Sequence, residues 1–228
     1  MASGLDGGTD LVGAAVAGCG AGAALLCLAL RVPGLVLTGI ERHPATADLA
    51  RHNAAANGIA ARILTADIAA LPAALRAEGF DHVIANPPFF AAGTAGPDPA
   101  RAAARHEDTP LEAWIDAGLR RLLPGGTLTL IHRAEALDRI LAALAGRAGA
   151  AAILPLAARR GRDAGRVIVS ARKGSRGPLR LLSPFVLHEK EAHGTDGEDL
   201  TPAAQAVLRA GAAIDLAGQD SGDRRVRI

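Results

Sequence analysis

From residue 33 onward, short runs of aliphatic and β-branched residues alternate with stretches of helical period, which predicts a mostly parallel sheet with helices on both faces. Val36-Leu37-Thr38-Gly39-Ile40 reads as a buried strand ending at Glu41, and residues 44–57 read as a helix closed by Gly58. Residues 62–65 form the next strand, ending near Asp67, and 68–77 a short helix. Asp81-His82-Val83-Ile84-Ala85 is a further strand that runs straight into Asn86-Pro87-Pro88-Phe89. Residues 90–108 carry Gly, Pro and Ala without periodicity and read as a long loop at that strand's carboxyl end.

Thr109 as N-cap, Pro110 at the first position and Glu112 placed for a capping box announce a helix whose apolar stripe is Leu111, Trp114, Ile115, Leu119 and Leu122. Pro124-Gly125-Gly126 then turns the chain into a strand over 127–131, followed by a helix over 134–144. Residues 151–155 and 167–171 read as an antiparallel hairpin closing one edge, 181–187 as an added strand, and 201–209 as a short helix with Pro202 at its start. The expected fold class is α/β and Rossmann-like, with no internal repeat and one domain over residues 1–228.

The 228 residues, 50% of them hydrophobic and 21% charged, suffice for one sizeable core and exclude disorder, collagen and coiled coil. Residues 11–30 are an uncharged run that could be taken for a membrane span or an exported leader. Asp6 and Asp10 precede it with no Lys or Arg, and its glycines make a poor spanning helix, so no membrane association is expected. Cys19 and Cys27 have no metal-ligating partners nearby. Neither a disulfide framework nor a metal is expected, and a reducing cytoplasm fits.

The net charge of +2 conceals an uneven distribution. Residues 159–180 hold eight basic side chains, Arg159, Arg160 and Arg162 among them, against Asp163 alone, while the rest of the chain is net acidic. Such a field attracts polyanions, although a solvated Arg-rich hairpin accounts for it equally well.

Gly18-Cys19-Gly20-Ala21-Gly22 is a G-x-G-x-G loop before an apolar helix, an arrangement that lets backbone approach a nucleotide; a plain structural turn is the alternative. Its weight comes from Glu41, about twenty residues on at the end of the next strand, where a carboxylate can accept both hydroxyls of a ribose. Asp67 can take an adenine amino group or cap the helix that follows it. In Asn86-Pro87-Pro88-Phe89 two prolines fix the backbone, so the Asn86 side-chain oxygen and the Pro87 carbonyl can accept the two hydrogens of a planar amino group while Phe89 stacks on the attached ring.

On these residues the sequence resembles the class I S-adenosylmethionine-dependent methyltransferases that carry a [DNS]-P-P-[FYW] motif. Within them it is similar to the bacterial tRNA adenine-N6 methyltransferases acting beside the anticodon of a valine tRNA. Further points of likeness are Ala104-Arg105-His106-Glu107, Leu122-Leu123-Pro124-Gly125-Gly126, Leu187-His188-Glu189, Thr201-Pro202 and Leu208-Arg209.

The resemblance implies S-adenosylmethionine as cofactor, held by Gly18, Gly20, Gly22, Glu41, Asp67 and Asn86. It implies tRNA as partner, with Asn86, Pro87 and Phe89 gripping the base, Phe89 or Phe90 stacking on it, and Arg159, Arg160 and Arg162 holding phosphates. The chain departs from the family pattern at its start, over residues 1–17. It has Val16-Ala17 where an acidic residue precedes the glycines, and residues 8–12 resemble the remnant of a substrate-side helix. Either residues 11–17 supply the first strand or the cofactor half is damaged. Methylation of a glutamine side-chain amide, or a degenerate RNA-binding module without cofactor, are the competing readings.

Overall fold

The computed structural model describes residues 12–89, 109–189 and 199–216. Gly13–Ala17 is a strand, β1, and it lies in the middle of the sheet. From Gly13 on, the uncharged run is therefore divided among β1, the glycine loop and a nine-residue helix, α1 (Ala23–Arg31). Among the described residues no helix is long and apolar enough to cross a membrane.

The remaining elements follow the expected alternation. They are β2 (Val36–Glu41), α2 (Pro44–Ala56), β3 (Ala61–Thr65), α3 (Ala73–Ala77), β4 (Phe80–Ala85), α4 (Leu111–Arg121), β5 (Leu122–Arg133) and α5 (Leu137–Leu144). Next come β6 (Ala148–Arg159), β7 (Ala164–Lys173), β8 (Arg180–Leu181), β9 (Phe185–His188) and α6 (Pro202–Leu208). The strands form one nine-stranded sheet in the order β3-β2-β1-β4-β5-β7-β6-β8, with β9 also paired to β6. From β3 to β5 the pairings are parallel, and β7 runs antiparallel to both β5 and β6. The antiparallel hairpin thus lies toward one edge, and β8 and β9 pair in parallel along its outer side.

Both faces of the central strands are covered, which is why β1 shows no polar alternation. Ala15 and Ala17 pack with Trp114, Ile115 and Leu128 on one face, while Ala14 and Val16 pack with Leu25, Leu37 and Ala50 on the other. Gly39 marks the tightest approach on the second face: a Cβ there would stand 2.7 Å from Ile63 Cδ1 and 2.9 Å from Cys19 Sγ.

The expected C-terminal stop of α2 is present. Gly58 has φ +64°, and the amides of Gly58 and Ile59 donate back to the carbonyls of Ala55 and Ala54, closing a Schellman motif. Thr201 likewise caps α6, its hydroxyl accepting the Ala204 amide at 3.1 Å.

Several boundaries differ from expectation. The helix expected over 68–77 is split into a 3₁₀ turn, Ile68–Ala70, and α3, because Pro72 drives Leu71 out of the helical region to ψ 139°. The helix expected from residue 134 opens with a 3₁₀ turn, Ala134–Ala136. Thr109 is not the cap of α4: Pro110 occupies that position, and no side-chain cap bond forms. β5 starts at Leu122 rather than 127, with a register shift opposite Phe80 and His82 and Gly125 at φ +77°. The loop at 90–108, Phe90 within it and residues 8–11 lie outside the described residues.

Candidate functional site

Parallel register assembles the site. Ala17 of β1 pairs with Ile40 of β2 on one side and Ala85 of β4 on the other, so the next residues, Gly18, Glu41 and Asn86, emerge together at the carboxyl edge. Asp67 follows two residues after β3, beside Glu41, which pairs with Thr65. This is where open α/β sheets bind ligands. A cavity of about 510 Å³ opens there, and Gly18, Gly20, Glu41, Asp67, Asn86, Pro87 and Phe89 all line it.

Glu41 is 7% exposed, yet both of its oxygens are engaged. Oε2 accepts the Gly20 amide at 3.0 Å and Oε1 accepts the His43 amide at 2.9 Å. The carboxylate therefore holds the glycine loop and the start of α2, and each oxygen keeps a further lone pair.

The three glycines do different things. Gly18, at φ +64°, lies against the Trp114 ring, where a Cβ would stand 2.7 Å from Cη2. Gly20, at φ +54°, has nothing within 4 Å of that position, so the loop is open on the cavity side. Gly22, the third glycine expected at the cofactor, stands back from the cavity. It caps α1 in the left-handed conformation with φ 95°, and a Cβ there would stand 3.5 Å from Ala50.

Asp67 caps a turn and also faces the cavity. Its Oδ1 accepts the Ala69 amide of the 3₁₀ turn at 2.8 Å. Burial, reinforced by the nearby Glu41 charge, pushes the Cys19 thiol up to about 11, which disfavours the thiolate.

The Asn-Pro-Pro turn is anchored by its first proline. Pro87 is fully buried, while Asn86 is exposed and makes no side-chain hydrogen bond among the described residues. The Phe89 ring meets His132 edge-on at 5.2 Å and 87°, and the Arg166 guanidinium stands 5.8 Å from its centroid.

Sequence reasoning passed over His43, Thr109, Trp114 and Arg166 as cavity residues. Trp114 belongs to the apolar stripe of α4, which hides its second role. Its indole N–H is buried without a hydrogen-bond acceptor among the described residues.

The basic segment is not one surface. Arg159, expected to hold a phosphate, is 9% exposed, and its Nη1 donates to Asp199 at 2.9 Å. Asp199 also bonds His188 Nδ1 at 2.6 Å, which ties the carboxyl-terminal segment to the end of β6. At the far end of β7, Arg172 bonds the Gly125 carbonyl and Lys173 the Leu122 carbonyl. Arg160 and Arg162 remain exposed in the turn between β6 and β7, at the same end of the sheet as the cavity.

Residues 13–148 match the model of the methyltransferase small domain, more than half of the chain. The chain belongs to that family. Among curated relatives, the tRNA1(Val) (adenine(37)-N6)-methyltransferase of Porphyromonas gingivalis is 41% identical over 119 residues, which is 50% of this chain and 47% of the relative. The enzyme of that name from Aeromonas hydrophila is 32% identical over 160 residues, covering 69% of this chain and 67% of the relative. The chain thus aligns with about half the length of the first of these methyltransferases and two thirds of the second. A solved structure of a predicted O-methyltransferase from Agrobacterium tumefaciens is similar at 30% identity and TM-score 0.69, over 86% of this chain and 88% of that one. The matched family segment contains the cavity-lining residues from Gly18 to Trp114, whereas Arg166 and the basic turn lie beyond it.

Proposed function

We propose that this chain transfers the methyl group of S-adenosylmethionine to the N6 amino group of an adenine beside the anticodon of a tRNA, in the cytoplasm. The observation that carries this reading is the convergence of Glu41, the Gly18–Gly20 loop and the Asn86–Phe89 turn on one cavity at the carboxyl edge. The names of the relatives from Porphyromonas gingivalis and Aeromonas hydrophila support it.

The residues present fit the cofactor. Gly20 leaves open space where a side chain would stand, and the Trp114 N–H is buried without an acceptor. Glu41 takes the ribose hydroxyls with the lone pairs that Gly20 and His43 leave free, and Asp67 offers Oδ2 to the adenine amino group. When bound, S-adenosylmethionine supplies a methyl group on a positively charged sulfur.

The chain's own work is on the nucleophile. An adenine amino lone pair is delocalised into the ring, so the free base attacks poorly. Asn86, through its side-chain oxygen, and Pro87, through its carbonyl, accept the two amino hydrogens and favour a pyramidal nitrogen whose lone pair points at the methyl group. The target base must leave its stack, and stacking on Phe89 returns about 1–3 kcal/mol of that cost. Arg160 and Arg162 approach phosphates from the hairpin turn.

The test is a methylation assay on bulk unmodified tRNA with nucleoside analysis. N6-methyladenosine is the expected product. Methylated glutamine in protein substrates, a 2′-O-methyl nucleoside or no turnover would overturn the reading.

A further inference from the structure

Arg166 occupies an unusual place. It stands in β7 directly opposite Arg133 of β5, a like-charged cross-strand pair that disfavours the sheet. Arg133 is paired with Glu135 at 2.9 Å, but the Arg166 side chain makes no hydrogen bond or ion pair among the described residues. It is exposed, lines the cavity, and lies over the Phe89 ring, 5.8 Å from Cζ to centroid. An unpaired cation held beside another cation at a cavity mouth suits an anion.

We propose that Arg166 is a substrate-positioning residue: its guanidinium rests on Phe89 in the free chain and swings out to the phosphate of the target nucleotide when the base takes its place on the ring. This rests on the reading of an RNA base as substrate. An exposed cation on an aromatic face holds less tightly than a base stacked there, so the base displaces the guanidinium. The freed group then forms a charge-assisted pair with a phosphate, replacing the contact it gave up. Arg166 thereby shields Phe89 from water and joins base stacking to backbone binding.

The experiment compares wild type, Arg166→Ala and Arg166→Lys in steady-state methyl transfer to unmodified tRNA at several salt concentrations. Cofactor binding is followed in parallel by the fluorescence of Trp114, the one tryptophan in the chain. Arg166→Ala is expected to raise KM for tRNA about tenfold with kcat little changed, and to reduce the log–log salt slope by about 0.7–0.9, the share of one phosphate contact. Arg166→Lys should restore the slope, because a point charge suffices there. Cofactor binding should be the same in all three. An Ala variant with wild-type KM and slope overturns the proposal while leaving the substrate reading intact, and so does a loss confined to kcat or accompanied by weakened cofactor binding. If the wild type transfers nothing to tRNA, the substrate reading fails and takes this proposal with it.

Discussion

Glu41 accepts the backbone N–H of Gly20 at 3.0 Å across twenty-one residues of sequence, so the acid at the end of β2 holds the loop that follows β1. One side chain thereby both shapes the cavity wall and presents the charge inside it.

Replacing Glu41 by Ala removes the proposed ribose acceptor and frees the Gly20 and His43 amides together. Cofactor affinity should fall by about 2–4 kcal/mol, read by calorimetry with S-adenosylmethionine. An unchanged dissociation constant would assign Glu41 to loop support alone.

Gly18 and Gly20 should respond differently to Ala. Gly18→Ala meets both the left-handed backbone and the Trp114 ring at 2.7 Å, which costs about 2–4 kcal/mol of stability. Gly20→Ala meets the backbone cost alone, about 1–2 kcal/mol, but places a methyl group in the cavity wall. Chemical denaturation should therefore single out Gly18→Ala, and ligand titration should show a loss for Gly20→Ala beyond its loss of stability.

Asn86→Ala should abolish methyl transfer while cofactor binding weakens far less, if the exposed side chain works on the methyl acceptor as proposed. Single-turnover rates alongside cofactor titration separate the two effects. Normal turnover would reduce the Asn-Pro-Pro segment to a structural turn.

Arg159 and its neighbours in the turn should part company. Arg160→Ala with Arg162→Ala should weaken binding of all tRNAs alike and flatten its salt dependence, because phosphate contacts position without specifying. Arg159→Ala should instead lower the denaturation midpoint, because it strips Asp199 of a buried partner. Burial opposes the Asp199 charge, but the bonds from Arg159 and His188 outweigh it and hold the carboxyl below its ordinary range. The stability that Asp199 contributes is therefore present at neutral pH and lost as pH falls below the ordinary aspartate range, through the lowered native value. The acid limb of the stability curve should be shallower in Arg159→Ala.

Much of this protein is determined by local sequence. The periodicity of apolar positions marks the alternating strands and helices, because covered parallel strands must be apolar throughout and their helices on one face only. Gly58, Pro44 and Thr201 mark helix ends, since caps depend on the conformation of one or two residues. The Asn86–Phe89 turn and the spacing from Gly20 to Glu41 are legible for the same reason: each is a short segment whose chemistry its own residues carry.

What only the tertiary structure decided depends on register and on which end of a strand a residue occupies. Gly13–Ala17 is too short and too rich in Ala to declare itself as a strand, and it becomes one because β2 and β4 flank it. Gly18 and Gly22 look alike in sequence, but one meets Trp114 and the other Ala50, contacts that packing of distant helices creates. The basic segment reads as one patch because charge sums along the chain. β7 runs the length of the sheet, so it carries Arg166 to the cavity and Arg172 and Lys173 to the opposite end, while Asp199, forty residues on, buries Arg159. Charge can be counted from sequence, but its partners are chosen by the fold.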